Sequence, residues 1–313
     1  MKRDLFIDGL KFVLIVLVIW GHIGNTLPLY DAPHIYSISN RFVYAFHMPL
    51  FVFISGYVTK KKTTSRWSHS IIRLIYIYFL LQSIHICIEQ FSDTQVLTLE
   101  RVLTPSNTLW YLLALIYWRI VVQYVPDSFL TTAWGGVVSL IISLLSIFLF
   151  DMHNIMALQR AMAFCPFFIW GYRCKRKMAV ERLRQGNNYF ISAIVLSIGS
   201  LLALTISPYF TGLADCLSLK VFIGRGCSLI VAAMIGYGIL TLLPSRVSDF
   251  AKEGQDVLFF YAFHPFILMA TGFLVRKYVV SESLMMIVAV ESSVVLILHY
   301  LSKIRVLRKI VLL

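Results

Sequence analysis

The first apolar segment of the chain carries residues whose types and spacing could do chemistry. It reads FIDGLKFVLIVLVIWGHIG over residues 6–24 and holds Lys11 and His22. In a helix these two side chains lie within roughly 20° of one face and about 16 Å apart along the axis. Asp8, one turn before Lys11, is expected to pair with it. Such a cation could bind an anionic ligand, and a histidine could act as a base near neutral pH. The spacing also allows Lys11 to snorkel and His22 to cap the helix among headgroups.

Other ionisable residues fall inside apolar segments, where they are costly and become candidate functional residues. They are His47, His85, Arg160, Arg225, His264, Glu291 and His299. His47 precedes Met48-Pro49 and His264 precedes Pro265. Either histidine could therefore serve packing instead, by bonding a carbonyl that the proline leaves free.

The elements that carry these candidate residues are predicted to cross a membrane. Of the 313 residues 59% are hydrophobic and 14% charged, with a mean hydropathy of +0.79. Apolar runs of about 18 residues or more recur along the whole chain, which excludes a water-soluble globular fold. We predict an all-α polytopic membrane protein with a single transmembrane domain over residues 1–313. The ten predicted spans are 5–24, 41–58, 70–90, 108–125, 131–150, 156–173, 189–206, 221–243, 257–275 and 284–302.

The distribution of charge orients these spans. Placing the N-terminus inside puts most of the 28 Lys and Arg residues into cytoplasmic loops, which predicts that both termini are cytoplasmic. Basic loops beside anionic lipid also account for the net charge of +13, so we expect no nucleic-acid partner. The five cysteines have no CxxC or His-containing metal spacing, and we expect no metal.

Several further motifs follow the Lys11-x10-His22 arrangement and the IDGL before it. They are FHMPLFVFISGY at 46–57, LWYLLAL at 109–115, RAMAFCPFFIWGY at 160–172 and FFYAFHPFIL at 259–268. With these motifs in this order, nearly the whole chain resembles acyltransferase family 3, the integral-membrane O-acyltransferases. It is most similar to the short members without an extracytoplasmic hydrolase-like domain.

The resemblance assigns roles to two residues of the first helix, because the family's functional basic residue and histidine correspond to Lys11 and His22. The family more often has Arg at the first position. Lys11 keeps the charge but lacks the planar guanidinium fork. Many members also carry an Arg-x-x-Arg pair before a proline after the second helix, and here Arg73 alone matches.

The resemblance implies an acyl-CoA donor, usually acetyl-CoA, and a hydroxyl acceptor on a surface-polysaccharide sugar or its lipid-linked precursor. Lys11 and the basic inner loop from Lys60 to Arg73 would meet the CoA phosphates, and a polar track would lead from Lys11 to His22. His22 would act as general base, with a covalent acyl-histidine as the alternative. His47 and His264 are candidates to orient His22 or to stabilise the oxyanion. A multi-pass location in the cytoplasmic (inner) membrane follows.

Four further residues are candidates to bind the acceptor. Arg160 could bind a sugar or a lipid pyrophosphate, or could pair with Asp151 or with lipid. Asn107 and Trp110 begin the fourth span in the family's Asn-x-x-Trp manner, where an aromatic ring could stack on a sugar or join the interface belt. Arg225 lies between two glycines, and we expect Glu291 to be its buried partner.

Two other classes of protein compete with the enzyme. A transporter or flippase of an anionic lipid-linked sugar would use the same intramembrane charges without acyl transfer, but the sequence has no inverted repeat or paired broken helices. A membrane sensor or scaffold explains the hydropathy but leaves the shared face of Lys11 and His22 without a role.

Overall fold

A computed structural model describes residues 4–26, 33–91, 98–106, 108–152, 155–177, 180, 184, 188–205, 212–214, 216–278 and 283–312. Over this part of the chain the regular elements are all helical. The α-helices are α1 (Leu5–Thr26), α2 (His34–Val58), α3 (Thr64–Phe91), α4 (Leu99–Leu103), α5 (Trp110–Tyr124), α6 (Asp127–Leu130), α7 (Ala133–Leu145), α8 (Leu158–Lys177), α9 (Tyr189–Ala203), α10 (Leu219–Leu242), α11 (Val257–Tyr278), α12 (Leu284–Leu301) and α13 (Arg305–Leu312). Short 3-10 segments occupy Ser146–Met152, Ile155–Ala157, Ser245–Phe250 and Glu253–Gln255.

Each of the ten predicted spans coincides with a helix, and the predicted all-α polytopic membrane fold is confirmed. Among the described residues, seven helices are long and apolar enough to cross a membrane: α1, α2, α3, α7 with its 3-10 extension, α10, α11 and α12. The other three fall short for physical reasons. Helices α5 and α9 have 15 residues each, below the about 20 that a bilayer core requires, and α8 carries several basic residues.

Helices α2 and α8 cross closely, as one glycine on each helix reveals. A Cβ at Gly56 would lie 2.0 Å from the carbonyl oxygen of Phe168, and a Cβ at Gly171 would lie 1.9 Å from that of Phe53. Each helix therefore needs glycine where it meets the backbone of the other. Because α2 carries His47 and α8 carries Arg160, this crossing fixes two candidate site residues relative to each other.

The two ends of the described chain meet at one end of the bundle. Arg73, near the start of α3, donates from Nη2 to the carbonyl of Val311 in α13 at 2.6 Å. Arg308 of α13 pairs with Asp256 at 2.7 Å, just before α11 begins. The 3-10 segments between α10 and α11 pack on the start of α1, where a Cβ at Gly254 would lie 1.7 Å from the Asp8 carbonyl oxygen. The sequence predicts that this end faces the cytoplasm.

Candidate active site

Lys11 lies on α1 at the end of the bundle that holds both termini. Its Nζ donates to Oδ1 of Asp8 at 2.8 Å, so the expected ion pair is present. The Lys11 side chain is 18% exposed and the Asp8 side chain is 4% exposed. Lys11 therefore keeps part of its surface available to a ligand while a buried carboxylate offsets its charge.

The exposed part of Lys11 lines a cavity of about 510 Å³ between α1, α2, α3, α5 and α11, which we call the basic cavity. Its cations are Lys11, Lys62, Arg66, Arg73 and Arg119. Its other polar residues are Ser55, His69, Ser70, Tyr111 and Tyr261. Among the described residues that line it, none is a carboxylate. Cations concentrated in a cleft with low-dielectric walls attract anions strongly.

The crowding of these cations affects Lys62, which lies in the loop between α2 and α3. Partial burial, with Arg119 and Arg73 nearby, lowers the pKa of Lys62 from its ordinary value. An anion in the cavity would relieve this mutual repulsion.

Three helices and the loop before α3 contribute the cations, and this explains which of them the sequence revealed. Residues 66, 69, 70, 73 and 74 share one face of α3, so the basic cavity uses three turns of that helix. Arg119 was missed, although Tyr111, Leu115 and Arg119 repeat at i, i+4 and i+8 on α5 and all line the cavity. That spacing is the signal that could have found it. Arg119 is held by a bond from its Nη1 to Oγ of Ser70 at 3.1 Å.

Arg73 lines the basic cavity, as its predicted role requires, and also has a structural partner. Its Nη2 and Nε both donate to the Val311 carbonyl, at 2.6 and 3.2 Å. One face of the guanidinium group thus secures α13 at the wall of the cavity.

Three histidines from different helices converge deeper in the bundle, and we call them the histidine centre: His22 of α1, His47 of α2 and His264 of α11. The rings of His22 and His264 lie 5.6 Å apart between centroids. His47 and Arg160 are within electrostatic range of His22. His47 and His264 are buried, whereas His22 retains partial exposure. The structure therefore brings the three predicted catalytic histidines together.

The backbone fixes which nitrogen of His47 and His264 carries the proton. Nδ1 of His47 lies 2.7 Å from the Val43 carbonyl, and Nδ1 of His264 lies 3.0 Å from that of Tyr261. A carbonyl only accepts, so in each neutral imidazole Nδ1 holds the hydrogen and Nε2 holds the lone pair. Within the described structure Nε2 of His264 is buried and has no hydrogen-bond partner.

The packing alternative, in which each histidine bonds a carbonyl that a proline frees, holds for His264 but not for His47. Tyr261 stands four residues before Pro265, so His264 does bond the carbonyl that this proline frees. His47 bonds Val43, whereas Pro49 frees the carbonyl of Ala45. The packing role of His264 uses only its Nδ1 and leaves Nε2 for chemistry.

Two tyrosines of α2 hold the part of α1 that carries His22. The Tyr36 hydroxyl accepts from the Gly24 N–H at 2.7 Å and donates to the Trp20 carbonyl at 3.1 Å. The Tyr44 hydroxyl donates to the Gly21 carbonyl at 3.2 Å. Sequence reasoning missed both tyrosines. Their signal is the stripe of Tyr36, Asn40, Tyr44 and His47 at helical spacing on one face of α2.

Two of the predicted acceptor-binding residues lie together. The guanidinium carbon of Arg160 stands 5.2 Å from the ring centroid of Trp110, a cation–π contact, and Trp110 stacks on Phe164 at 5.4 Å. The Nε of Arg160 has no hydrogen-bond partner among the described residues. Asn107 and the Asp151 side chain lie outside the described residues.

Arg225 does not have the partner that the sequence indicated. Its side chain is 2% exposed, and Nη2 donates to the Leu213 carbonyl at 3.2 Å. No ion pair joins Arg225 to Glu291, although both residues are described, so that expectation was wrong. Glu291 instead lies within electrostatic range of Tyr36. A carbonyl from the segment before α10 satisfies part of Arg225 without a carboxylate.

The predicted polar track from Lys11 to His22 is interrupted. The described lining of the basic cavity extends from Lys11 and Arg66 to Tyr111 and Tyr261 but does not include His22. Tyr261 and His264 are close neighbours, with ring centroids 6.0 Å apart. The cavity therefore ends one helical turn short of the histidine centre. Within the described residues no group of three or more His, Cys, Asp or Glu side chains is placed to hold a metal ion.

The fold and site define a class: a multi-pass α-helical membrane protein with a basic cavity at one end and a histidine centre deeper in the bundle. Comparison with known proteins identifies the family. A family model described as an acyltransferase domain matches residues 4–299, and the chain belongs to acyltransferase family 3.

One relative adds a local similarity. The chain is 45% identical over 60 residues to the nodulation protein NolL of Mesorhizobium japonicum, an alignment that spans 18% of this chain and 16% of that protein. No solved structure matches the chain.

Proposed function

We propose that this chain moves an acyl group, acetyl in the simplest case, from acyl-CoA to a hydroxyl of a surface-polysaccharide sugar or of its lipid-linked precursor. Acyl-CoA would arrive from the cytoplasm at the inner membrane, where the family and the charge distribution indicate a multi-pass protein. The observation that carries the proposal is the succession of two sites: a basic cavity with five cations, then the histidine centre one turn deeper.

Acyl-CoA has the chemistry that this succession of sites favours. Its nucleotide end is a polyanion, and its pantetheine arm is long and thin and ends in a thioester. Phosphates in the basic cavity would face Lys11, Lys62, Arg66 and Arg119, with Arg73 at the wall. The cavity volume of about 510 Å³ lies in the range of small-molecule sites.

His22 acts as general base in the proposed reaction. It takes the proton from the acceptor hydroxyl while that oxygen attacks the thioester carbonyl. A carbon–oxygen bond forms, the carbon–sulfur bond breaks, and the proton passes to the departing thiolate. CoA leaves as the free thiol, and no net proton is released. The covalent acyl-histidine route would divide the same change into two steps.

His264 and Arg160 complete the proposed site. With its lone pair on Nε2, neutral His264 can accept an N–H from His22 and orient that ring, but it cannot donate from Nε2 to an oxyanion. Arg160 is the nearby group that can, since its Nε has no other partner among the described residues. Trp110 is buried, with Arg160 against its ring and Phe164 stacked on it, so in the proposed site it supports the guanidinium group.

The test uses the full-length protein in proteoliposomes. Desulfo-CoA and 3′-dephospho-CoA are titrated first, and loss of the 3′-phosphate should weaken binding if the basic cavity holds the nucleotide. Radiolabelled acetyl-CoA is then supplied with envelope glycan from cells that lack the protein. Transfer of label to the glycan supports the proposal. Movement of lipid-linked sugar between leaflets without transfer of label would establish the flippase instead.

A further inference from the structure

Three aromatic residues close the inner end of the basic cavity. Phe51 of α2, Tyr111 of α5 and Tyr261 of α11 are all buried and all line it. The rings of Phe51 and Tyr111 meet edge to face at 5.3 Å, and those of Tyr111 and Tyr261 at 5.3 Å. We call these three residues the aromatic layer.

The aromatic layer separates the basic cavity from the histidine centre. His47 lies four residues before Phe51 on α2, and His264 lies three residues after Tyr261 on α11, so each histidine stands about 5 Å beyond the layer along its helix. A group that moves from the cavity along these helices toward the histidine centre therefore meets these rings.

Hydrogen bonds hold two of the rings in place. The Tyr111 hydroxyl lies 2.5 Å from Oγ of Ser55 on α2, and the Tyr261 hydroxyl donates to the carbonyl of Thr108, just before α5. The Tyr111 hydroxyl thus joins α5 to α2, and the Tyr261 hydroxyl joins α11 to the segment just before α5. Displacing either ring costs both a ring contact and a hydrogen bond.

We propose that the aromatic layer is the passage for the acyl thioester and sets the length of acyl chain that the enzyme transfers. This inference rests on the proposed acyl-CoA reaction. The nucleotide remains in the basic cavity, and the acyl carbonyl must cross the layer to reach His22. An acetyl group needs the smallest displacement of the rings. In a close-fitting apolar site each added methylene changes selectivity by about tenfold or more.

The experiment compares acyl donors in proteoliposomes, with release of CoA thiol as the readout and envelope glycan from cells that lack the protein as acceptor. The wild type should favour acetyl-CoA over butanoyl-CoA, which has two more methylenes, by about 100-fold or more in kcat/KM. Phe51→Ala should reduce that preference at least about tenfold by shortening the side chain in the passage. Tyr111→Phe, which removes only the hydroxyl, should reduce it by a smaller factor.

Phe168→Leu is the matched control, because Phe168 is fully buried and stacks on Trp118 but does not line the cavity. It should lower thermal stability without altering donor preference. If Phe51→Ala fails to fold, Tyr111→Phe and the bulkier Phe51→Trp decide the matter, since Phe51→Trp should slow butanoyl transfer more than acetyl transfer.

The two proposals fail in different ways. A wild-type protein that transfers no acyl group from any CoA donor contradicts the proposed function. A wild-type protein that transfers acetyl, with donor preference unchanged in every folded variant of the layer, overturns the role of the layer alone.

Discussion

The basic cavity and the histidine centre handle charge in opposite ways. The cavity gathers five cations from α1, α3, α5 and the loop before α3, and two of them, Lys62 and Arg66, keep a large part of their surface in contact with water. The histidine centre has two buried imidazoles whose Nδ1 atoms are bonded to carbonyls of their own helices. The first region attracts a charged ligand, and the second presents neutral lone pairs in a fixed direction.

This difference suits the proposed reaction, in which one bundle binds a polyanion and performs acid–base chemistry at depth. Separate regions allow the phosphates to remain near water while only the uncharged end of the ligand enters the low-dielectric interior. The separation predicts that changes in the two regions affect different kinetic quantities.

The largest expected effect comes from the histidine centre. His22→Ala should reduce acyl transfer by about 100-fold to 10,000-fold, because the reaction loses its base. Desulfo-CoA affinity should stay the same, since the proposal places the phosphates in the other region. His299→Ala on α12 is the matched control and should leave the rate unchanged. A His22→Ala protein that binds donor and transfers acetyl at the wild-type rate would remove His22 from the mechanism.

His264 allows its packing and chemical roles to be separated. His264→Asn keeps a donor for the Tyr261 carbonyl but lacks Nε2, whereas His264→Leu loses both. Both variants should reduce transfer by about 100-fold. His264→Leu alone should also lose about 1–3 kcal/mol of stability from an unsatisfied buried carbonyl, measured as a lower Tm in detergent. Full activity in His264→Asn would leave His264 with packing only.

In the basic cavity, Lys11→Met should raise the KM for acetyl-CoA by about tenfold and leave kcat unchanged, because one charged contact to phosphate is lost. The variant should also lose up to about 3 kcal/mol of stability, since Asp8 is nearly buried beside Lys11. Asp8→Asn with Lys11→Met should restore the Tm but not the KM, and Lys11→Arg should preserve both. Recovery of the KM in the double variant would show that Lys11 acts only through Asp8.

The smallest effect is the pH dependence of donor binding. Burial and the charges of Arg119 and Arg73 lower the pKa of Lys62, and bound phosphates should raise it again. Binding therefore takes up a proton, and affinity should fall as the pH rises through the lowered pKa of free Lys62. Desulfo-CoA is the suitable probe because it has no thiol to titrate. Lys62→Met should flatten this slope, and Lys60→Met, outside the cavity lining, should not; equal slopes in both would contradict the assignment.

The sequence could predict features that depend on one helix. The period of an α-helix places Lys11 and His22 on a common face, and a three-residue spacing pairs Lys11 with Asp8. Length and hydropathy predict all ten helical spans, because both can be read from one continuous stretch of sequence.

Features that depend on several helices could not be predicted in this way. No local spacing relates Arg119 of α5 to Arg73 of α3, nor the Tyr36 hydroxyl to the Gly24 N–H of α1. Arg225 bonds a backbone carbonyl rather than Glu291. A buried guanidinium group needs a hydrogen-bond acceptor, and a backbone oxygen is as suitable as a carboxylate. The aromatic layer also depends on three helices.

The Tyr36 hydroxyl bonds both the Gly24 N–H and the Trp20 carbonyl, two backbone groups that are four residues apart on α1. The turn that presents His22 therefore takes its shape partly from the next helix along the chain. During biosynthesis, α1 would enter the bilayer first but would acquire its final geometry only after α2 had inserted beside it. Competence for catalysis would thus begin with the pairing of the first two helices rather than with the insertion of either one.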